Sequence, residues 1–176
     1  MKKKIVFFDG DGTIWYPKRT KWKEGPWWIY KDKETSTDSK FHLVLTPTAH
    51  STLKKLKTQG IILILLSTHP HSPREAKLII DEKVRHFNLK NIFDEVHATR
   101  EYHHSKGEFI LKILNKRKIP KSQALMVGDH YLWDYKPARD VGIDALLIKT
   151  DYTKFQKNGN RIKKTIRKIK EILNYV

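Results

Sequence analysis

The chain has 176 residues, with 36 Lys+Arg against 19 Asp+Glu, a formal net charge of +17 and no cysteine. That length supports one well-buried core, and the missing cysteines exclude disulfides, thiolate metal sites and cysteine nucleophiles, so any metal must sit on oxygen or imidazole ligands. No apolar run approaches the ~20 residues of a membrane span, and Lys2–Lys4 lead into too few apolar residues for a signal peptide, so a cytoplasmic protein is expected.

Residues 4–8, KIVFF, form a β-rich apolar run that stops at an acidic cluster, as a buried strand does at its carboxyl end. From 14 to about 45 there is no helical periodicity. This segment holds Trp15, Trp22, Trp27 and Trp28 among Lys18, Arg19, Lys21 and Lys23, and reads as an aromatic-rich insertion. Thr46 offers an N-cap, Pro47 a first helical residue and Gly60 a stop, which predicts a helix over 47–58. The uniformly apolar run at 61–66, IILILL, predicts a strand buried on both faces that ends at Ser67 and Thr68. Ser72 and Glu75 have capping-box spacing, and Ala76, Ile79, Ile80, Val84 and Phe87 mark the inner face of the following helix.

A short strand, FDEVHA, starts at Phe93. Lys106 and Gly107 then open a helix whose stripe is Phe109, Ile110, Ile113 and Leu114, closed by Pro120. ALMV at 124–127 is a strand running into Gly128 and Asp129. KPARDVGI predicts a short helix ending at Gly142, and ALLI at 145–148 a further strand. Last, Ile162, Ile166, Ile169, Ile172 and Leu173 share one helical face opposite Lys and Arg, which predicts an amphipathic C-terminal helix.

Strands alternating with helices predict a single α/β domain over 1–176, three-layered and doubly wound around a mainly parallel sheet. Such sheets bind ligands outside the carboxyl ends of their strands. The unusual residues of this sequence fall there: Asp9 with Asp11, Ser67 with Thr68, Lys106, and Asp129 with Asp134.

In this order the residues resemble the four motifs of the haloacid dehalogenase superfamily of phosphotransferases. Asp9, Gly10, Asp11, Gly12 and Thr13 match its Asp-x-Asp-Gly-Thr run, and Ser67 the Ser or Thr that closes an apolar strand. Lys106 matches its lysine at a helix start, and Gly128, Asp129 and Asp134 the Gly-Asp followed by a second Asp. The resemblance implies a Rossmann-like core and a magnesium-dependent phosphatase in which Asp9 attacks phosphorus to form an aspartyl-phosphate. Asp11 would start protonated, protonate the leaving oxygen and then deprotonate water. Asp9, Asp129 and the main-chain carbonyl of Asp11 would hold the metal. Ser67, Thr68 and Lys106 would bind the phosphoryl oxygens, with Lys106 also neutralising charge in the transition state and Thr13, Gly128 and Asp134 in support. Within that resemblance, an acid at position 11 implies phosphate-ester hydrolysis, with transfer to another hydroxyl ranked below it, rather than dehalogenation, phosphonate hydrolysis or ion pumping.

Physical chemistry supports these roles independently. A carboxylate can attack an anionic phosphoryl group only if a cation screens the repulsion, and oxygen-ligated magnesium provides that screen. A covalent intermediate divides one difficult displacement into two easier ones.

The intervals between motifs leave no room for a cap domain of usual size, so the site is expected to be open. TIWYP, the aromatic segment after it and LTPTAHSTLKKLKTQGI more narrowly resemble the capless magnesium-dependent phosphatases of the acid and protein-tyrosine phosphatase type. That resemblance implies phosphotyrosine or sugar-phosphate substrates, either small molecules or phosphoproteins. GDHYLWD departs from the acidic cluster those proteins often carry. The tryptophans would then form a flap over the site, or pack together to hold an insertion.

The charge of +17 favours anionic partners. A nucleic-acid 3′-phosphate end and a non-catalytic basic binding module are the alternatives, both ranked below a small-molecule or phosphoprotein substrate. The blander reading is a solvated basic surface, because the cations spread along the whole chain. His69, His71, His103 and His104 lie near the second and third motifs and read first as solvated or hydrogen-bonded loop residues. The sequence is silent on oligomeric state.

Overall fold

A computed structural model of the protein describes residues 2–99, 105–155, 162 and 164–176. Its centre is β1 (Ile5–Phe8), whose four side chains are all buried. Alternation sends Val6 and Phe8 into one hydrophobic cluster and Ile5 and Phe7 into another, so this strand belongs to two cores at once. Around it lie β4 (Ile62–Ser67), β5 (Glu95–Ala98), β6 (Ala124–Gly128), β7 (Asp144–Ile148) and β8 (Thr165–Ile166). They form a six-stranded sheet in the order β5-β4-β1-β6-β7-β8, with every neighbouring pair parallel.

Two helices, α1 (Ala49–Thr58) and α2 (Pro73–His86), cover one face through Leu53, Leu56, Ala76 and Ile80. The other face carries α3 (Lys106–Arg117) and α4 (Lys136–Asp140) through Ile110, Ile113, Leu114 and Ala138. This is the expected three-layer architecture, without a large cap. Chain leaving β1 and β4 crosses one face and chain leaving β5 and β6 crosses the other. The sheet therefore switches direction between β1 and β6, and a crevice opens at their carboxyl ends. No helix among the described residues is long and apolar enough to cross a membrane.

Local sequence explains much of this. The expected capping box, Ser72 with Glu75 at α2, is realised, and a second, Ser105 with Glu108, opens α3. The second box makes Lys106 the first residue of its helix. The insertion is built on a separate antiparallel pair, β2 (Trp15–Pro17) and β3 (Leu43–Leu45), with 3₁₀ turns at Pro26–Tyr30 and Ser39–His42 between them.

Three expectations differ from the structure. The first helix begins at Ala49 rather than Pro47, after Thr48 in a left-handed conformation with φ 67°. Thr46 does not cap it; its hydroxyl donates to the Thr13 carbonyl at 2.7 Å and its N–H to the Ile14 carbonyl, tying it to the loop after β1. A π-helical turn at Tyr131–Tyr135 precedes α4. Finally, the amphipathic C-terminal helix is absent: Thr165–Ile166 is β8, and a 3₁₀ turn at Ile169–Asn174 follows. The exposed edge of β7 takes this segment as a partner, Lys149 N–H donating to the Ile166 carbonyl. Ile169 and Ile172 are both fully buried, and a spacing of three suits a three-residue turn as well as a helix.

Candidate active site

Asp9 leaves β1 at the crevice, its N–H donating to the Val127 carbonyl of β6. Lys106, placed at the start of α3 by its capping box, reaches across. Its ammonium lies 2.5 Å from Asp9 Oδ1 and 2.5 Å from Asp134 Oδ1, and all three side chains are buried. Asp9 Oδ2 has no hydrogen bond among the described residues. One carboxylate oxygen from each of Asp9, Asp129 and Asp134 lies within 4.8 Å of the others.

Local geometry fixes the two acids after β6. His130 N–H donates to Asp134 Oδ2 at 2.9 Å. Asp134 packs so closely over Gly128 that a Cβ there would overlap its side chain. Asp129 accepts from the Thr13 hydroxyl at 3.3 Å and from the Tyr152 hydroxyl at 2.5 Å.

Three buried carboxylates face one ammonium. Burial, followed by Asp134 and Asp129, drives Asp9 well above the usual carboxylate range against the opposing charge of Lys106. Burial and the Asp134 charge push Asp129 up to about 7. Burial disfavours the Lys106 ammonium, but Asp134 and Asp9 outweigh it, so its pKa is raised and it stays charged. The unbalanced negative charge and the all-oxygen donor set fit a hard divalent cation such as magnesium.

Asp11 points elsewhere. Its Oδ1 accepts from Trp15 Nε1 at 2.5 Å and from the Tyr30 hydroxyl at 2.6 Å, and lies 3.4 Å from Lys83 Nζ. Lys83 also donates to the Tyr30 hydroxyl. Burial pushes Asp11 upward, but Lys83, His69, Tyr30 and Trp15 together outweigh it, so its carboxyl sits below the usual range. Burial and neighbouring charges thus shift the two acids in opposite directions, Asp9 up and Asp11 down.

The parallel register of Phe8 with Leu65 sets Ser67 beside the loop after β1. Ser67 is 1% exposed and its hydroxyl has no hydrogen-bond partner among the described residues, a donor waiting for an acceptor. The Thr68 hydroxyl is shared with Thr99 at 2.7 Å, while its side chain lines the cavity. His69, expected to be a solvated or hydrogen-bonded loop residue, is fully buried and hydrogen-bonded, with its ring 4.3 Å from that of Tyr30. His71 meets it through an Nδ1 to Nδ1 hydrogen bond of 3.0 Å. His103 and His104 lie outside the described residues.

The cavity has a volume of about 270 Å³. The carboxylate cluster and Lys106 line it together with four aromatic residues, Trp27, Tyr30, Trp133 and Tyr152. Trp27 and Trp133 are exposed there. Of the other insertion tryptophans, Trp15 is fully buried, Trp22 stacks on Tyr16 at 4.0 Å, and Trp28 lies under the Arg19 guanidinium.

Sequence reasoning missed Lys83, Tyr30, Trp133 and Tyr152. Only Lys83 left a signal: it falls on the inner stripe of α2 beside Ile80 and Val84, where a lone lysine needs a buried partner.

A family model described as haloacid dehalogenase-like hydrolase matches residues 8–148. No match to a curated protein is found. Solved structures share the fold. A HAD phosphatase from Thermococcus onnurineus is 20% identical, covering 99% of this chain and 97% of its own, with TM-score 0.70. A haloacid dehalogenase-like family hydrolase from Streptococcus pneumoniae is 16% identical, covering 98% of each chain, with TM-score 0.70. A Haemophilus somnus protein described as a predicted phosphoglycolate phosphatase is 15% identical, covering 99% of this chain and 98% of its own, with TM-score 0.73.

Proposed function

The chain belongs to the haloacid dehalogenase-like hydrolases, and from that membership we propose that it is a magnesium-dependent phosphomonoesterase working through an aspartyl-phosphate. The observation that carries this reading is Lys106 bridging Asp9 and Asp134 inside a buried three-carboxylate cluster.

Asp9 and Asp129 would hold the magnesium, with the Asp11 main-chain carbonyl, and Asp134 is a third carboxylate within reach. When bound, the ion supplies the charge neutralisation that lets a carboxylate approach an anionic phosphoryl group. Lys106 orients Asp9 and leaves its Oδ2 open toward phosphorus. Asp9 attacks, an ester P–O bond breaks, and the leaving oxygen takes a proton from Asp11. A water then loses a proton to Asp11 and attacks phosphorus, breaking the bond to Asp9 and releasing inorganic phosphate. The Ser67 hydroxyl donates to a phosphoryl oxygen, and Lys106 stabilises the transition-state charge. A phosphoryl dianion beside Asp11 raises its proton affinity, so Asp11 takes up a proton from solvent as substrate binds and passes it to the leaving oxygen.

The aromatic lining favours a ring-bearing leaving group, phosphotyrosine or a sugar phosphate, over a small aliphatic ester such as phosphoglycolate. Turnover of p-nitrophenyl phosphate, phosphotyrosine, sugar phosphates and phosphoglycolate, with magnesium or EDTA, tests the reading. EDTA should abolish activity, and Asp9→Asn should lower kcat by roughly 10³-fold or more. Full activity in that variant would overturn the proposal.

A further inference from the structure

A second cavity, of about 440 Å³, lies at the carboxyl ends of β7 and β8, on the same side of the sheet as Asp9. Four basic residues line it, Lys149, Arg167, Lys168 and Lys170, against one acid, Asp151. All four are exposed, and Lys149, Arg167 and Lys170 have no ion pair among the described residues. The opposite wall is Trp22, held by its stack on Tyr16.

This cavity adjoins the catalytic one. Asp151 lines the second cavity and donates its N–H to the Trp22 carbonyl at 3.1 Å. The next residue, Tyr152, lines the first cavity and donates to Asp129. On the insertion side Trp22 lines one cavity and Gly25 the other. One short partition thus separates the carboxylate cluster of the first cavity from a pocket lined by four cations and one acid. Clustered Lys and Arg recognise phosphate through charge-assisted hydrogen bonds.

We propose that this second cavity binds a further phosphate group of the same substrate molecule while the scissile phosphate lies at Asp9. The proposal rests on the phosphatase reading above, and two sources share its chemistry: a small bisphosphate, or the phosphodiester next to a phosphorylated nucleic-acid end. Binding at the basic cavity anchors the substrate remotely from the reacting bond, so substrates with one phosphate lose that contribution.

The test compares the wild type with a Lys149→Ala, Arg167→Ala, Lys170→Ala triple variant on matched substrates. One pair is adenosine 3′,5′-bisphosphate and adenosine 3′-monophosphate; the other is 3′-phosphorylated oligothymidylate and thymidine 3′-monophosphate, with p-nitrophenyl phosphate as a common one-phosphate reference. The wild type should favour at least one two-phosphate substrate by about tenfold in kcat/KM, the worth of one charge-assisted hydrogen bond. The triple variant should lose that advantage while p-nitrophenyl phosphate turnover changes less than about twofold. Sensitivity of the bisphosphate alone identifies a small-molecule source, and sensitivity of the oligonucleotide identifies a nucleic-acid chain.

Equal losses on every substrate, or none, would overturn the proposal. Should the triple variant fold poorly, Lys149→Ala and Lys170→Ala singly give the same comparison at smaller amplitude. A second arm needs no turnover: labelled 3′-phosphorylated oligothymidylate and adenosine 3′,5′-bisphosphate are titrated into the Asp9→Asn protein with and without the three substitutions. Weaker binding and a shallower salt dependence in the substituted protein support the second site even if the catalytic reading fails. Identical affinities for both ligands exclude it.

Discussion

Lys83, on the buried face of α2, places its ammonium 3.4 Å from Oδ1 of Asp11 and shares the Tyr30 hydroxyl with that carboxylate. The proposed acid is therefore held by a helix and by the insertion together. Burial lowers the pKa of Lys83, although the Asp11 charge acts against this. Removing either partner leaves the other unbalanced.

Lys83→Met should raise the Asp11 pKa, because it deletes the largest charge holding that carboxyl down. More Asp11 is then protonated at neutral pH. The alkaline limb of kcat/KM should move to higher pH for an alkyl phosphate, whose leaving group needs a proton. It should barely move for p-nitrophenyl phosphate, whose leaving group does not. Tyr30→Phe should shift it in the same direction by less. Superimposable profiles would show that Lys83 is structural only.

Metal-free protein should lose stability as pH rises. A carboxyl raised to about 7 in the folded state, against 3.8 for the ordinary group, binds more protons folded than unfolded between those values. Its contribution is therefore largest below about pH 4 and falls through pH 7, by on the order of 4 kcal/mol for Asp129 alone. In EDTA, Tm should fall from pH 5 to pH 8, and magnesium at pH 8 should restore it. A Tm indifferent to magnesium at that pH would contradict the assigned cluster.

Trp133→Ala and Trp27→Ala should each raise KM for an aryl phosphate by about 2- to 10-fold, the worth of one aromatic contact, with less effect on a small aliphatic phosphate. Trp28→Ala should leave that ratio unchanged, since its ring lies under Arg19 instead. Steady-state kinetics on the two substrates decide the matter.

Gly12→Ala should weaken magnesium binding and lower kcat/KM by roughly 100-fold, the scale of a 1 Å displacement in a site. Its φ of 79° strains any L side chain, by about 1–2 kcal/mol. A Cβ would also come within 2.5 Å of Asp129 Oδ2. Magnesium titration of activity reads both effects.

The central sheet and the motif residues were legible because they combine two strong local signals, an apolar run and a polar group at its end. Asp9 and Asp129 follow that logic, while Lys106, which joins them with Asp134, was marked by its place at a helix start. Tyr152 was not legible, since it acquires meaning only from an acid on a distant element, and Lys83 signalled a buried partner without naming it. The C-terminal isoleucines misled for a different reason. Their spacing reports a buried face without saying whether helix, 3₁₀ turn or edge strand presents it, and the open edge of β7 decided.

Pairing of Trp15 with Leu45, Tyr16 with Val44 and Pro17 with Leu43, reinforced by Thr46 on Thr13, closes the insertion at its base like the stem of a hairpin. What hangs from that stem can change length at little thermodynamic cost, roughly 0.6 kcal/mol per doubling. The reacting loop below would keep its place. In this architecture the insertion is moored twice to the loop after β1, once at its paired base and once at Tyr30, whose hydroxyl reaches Asp11.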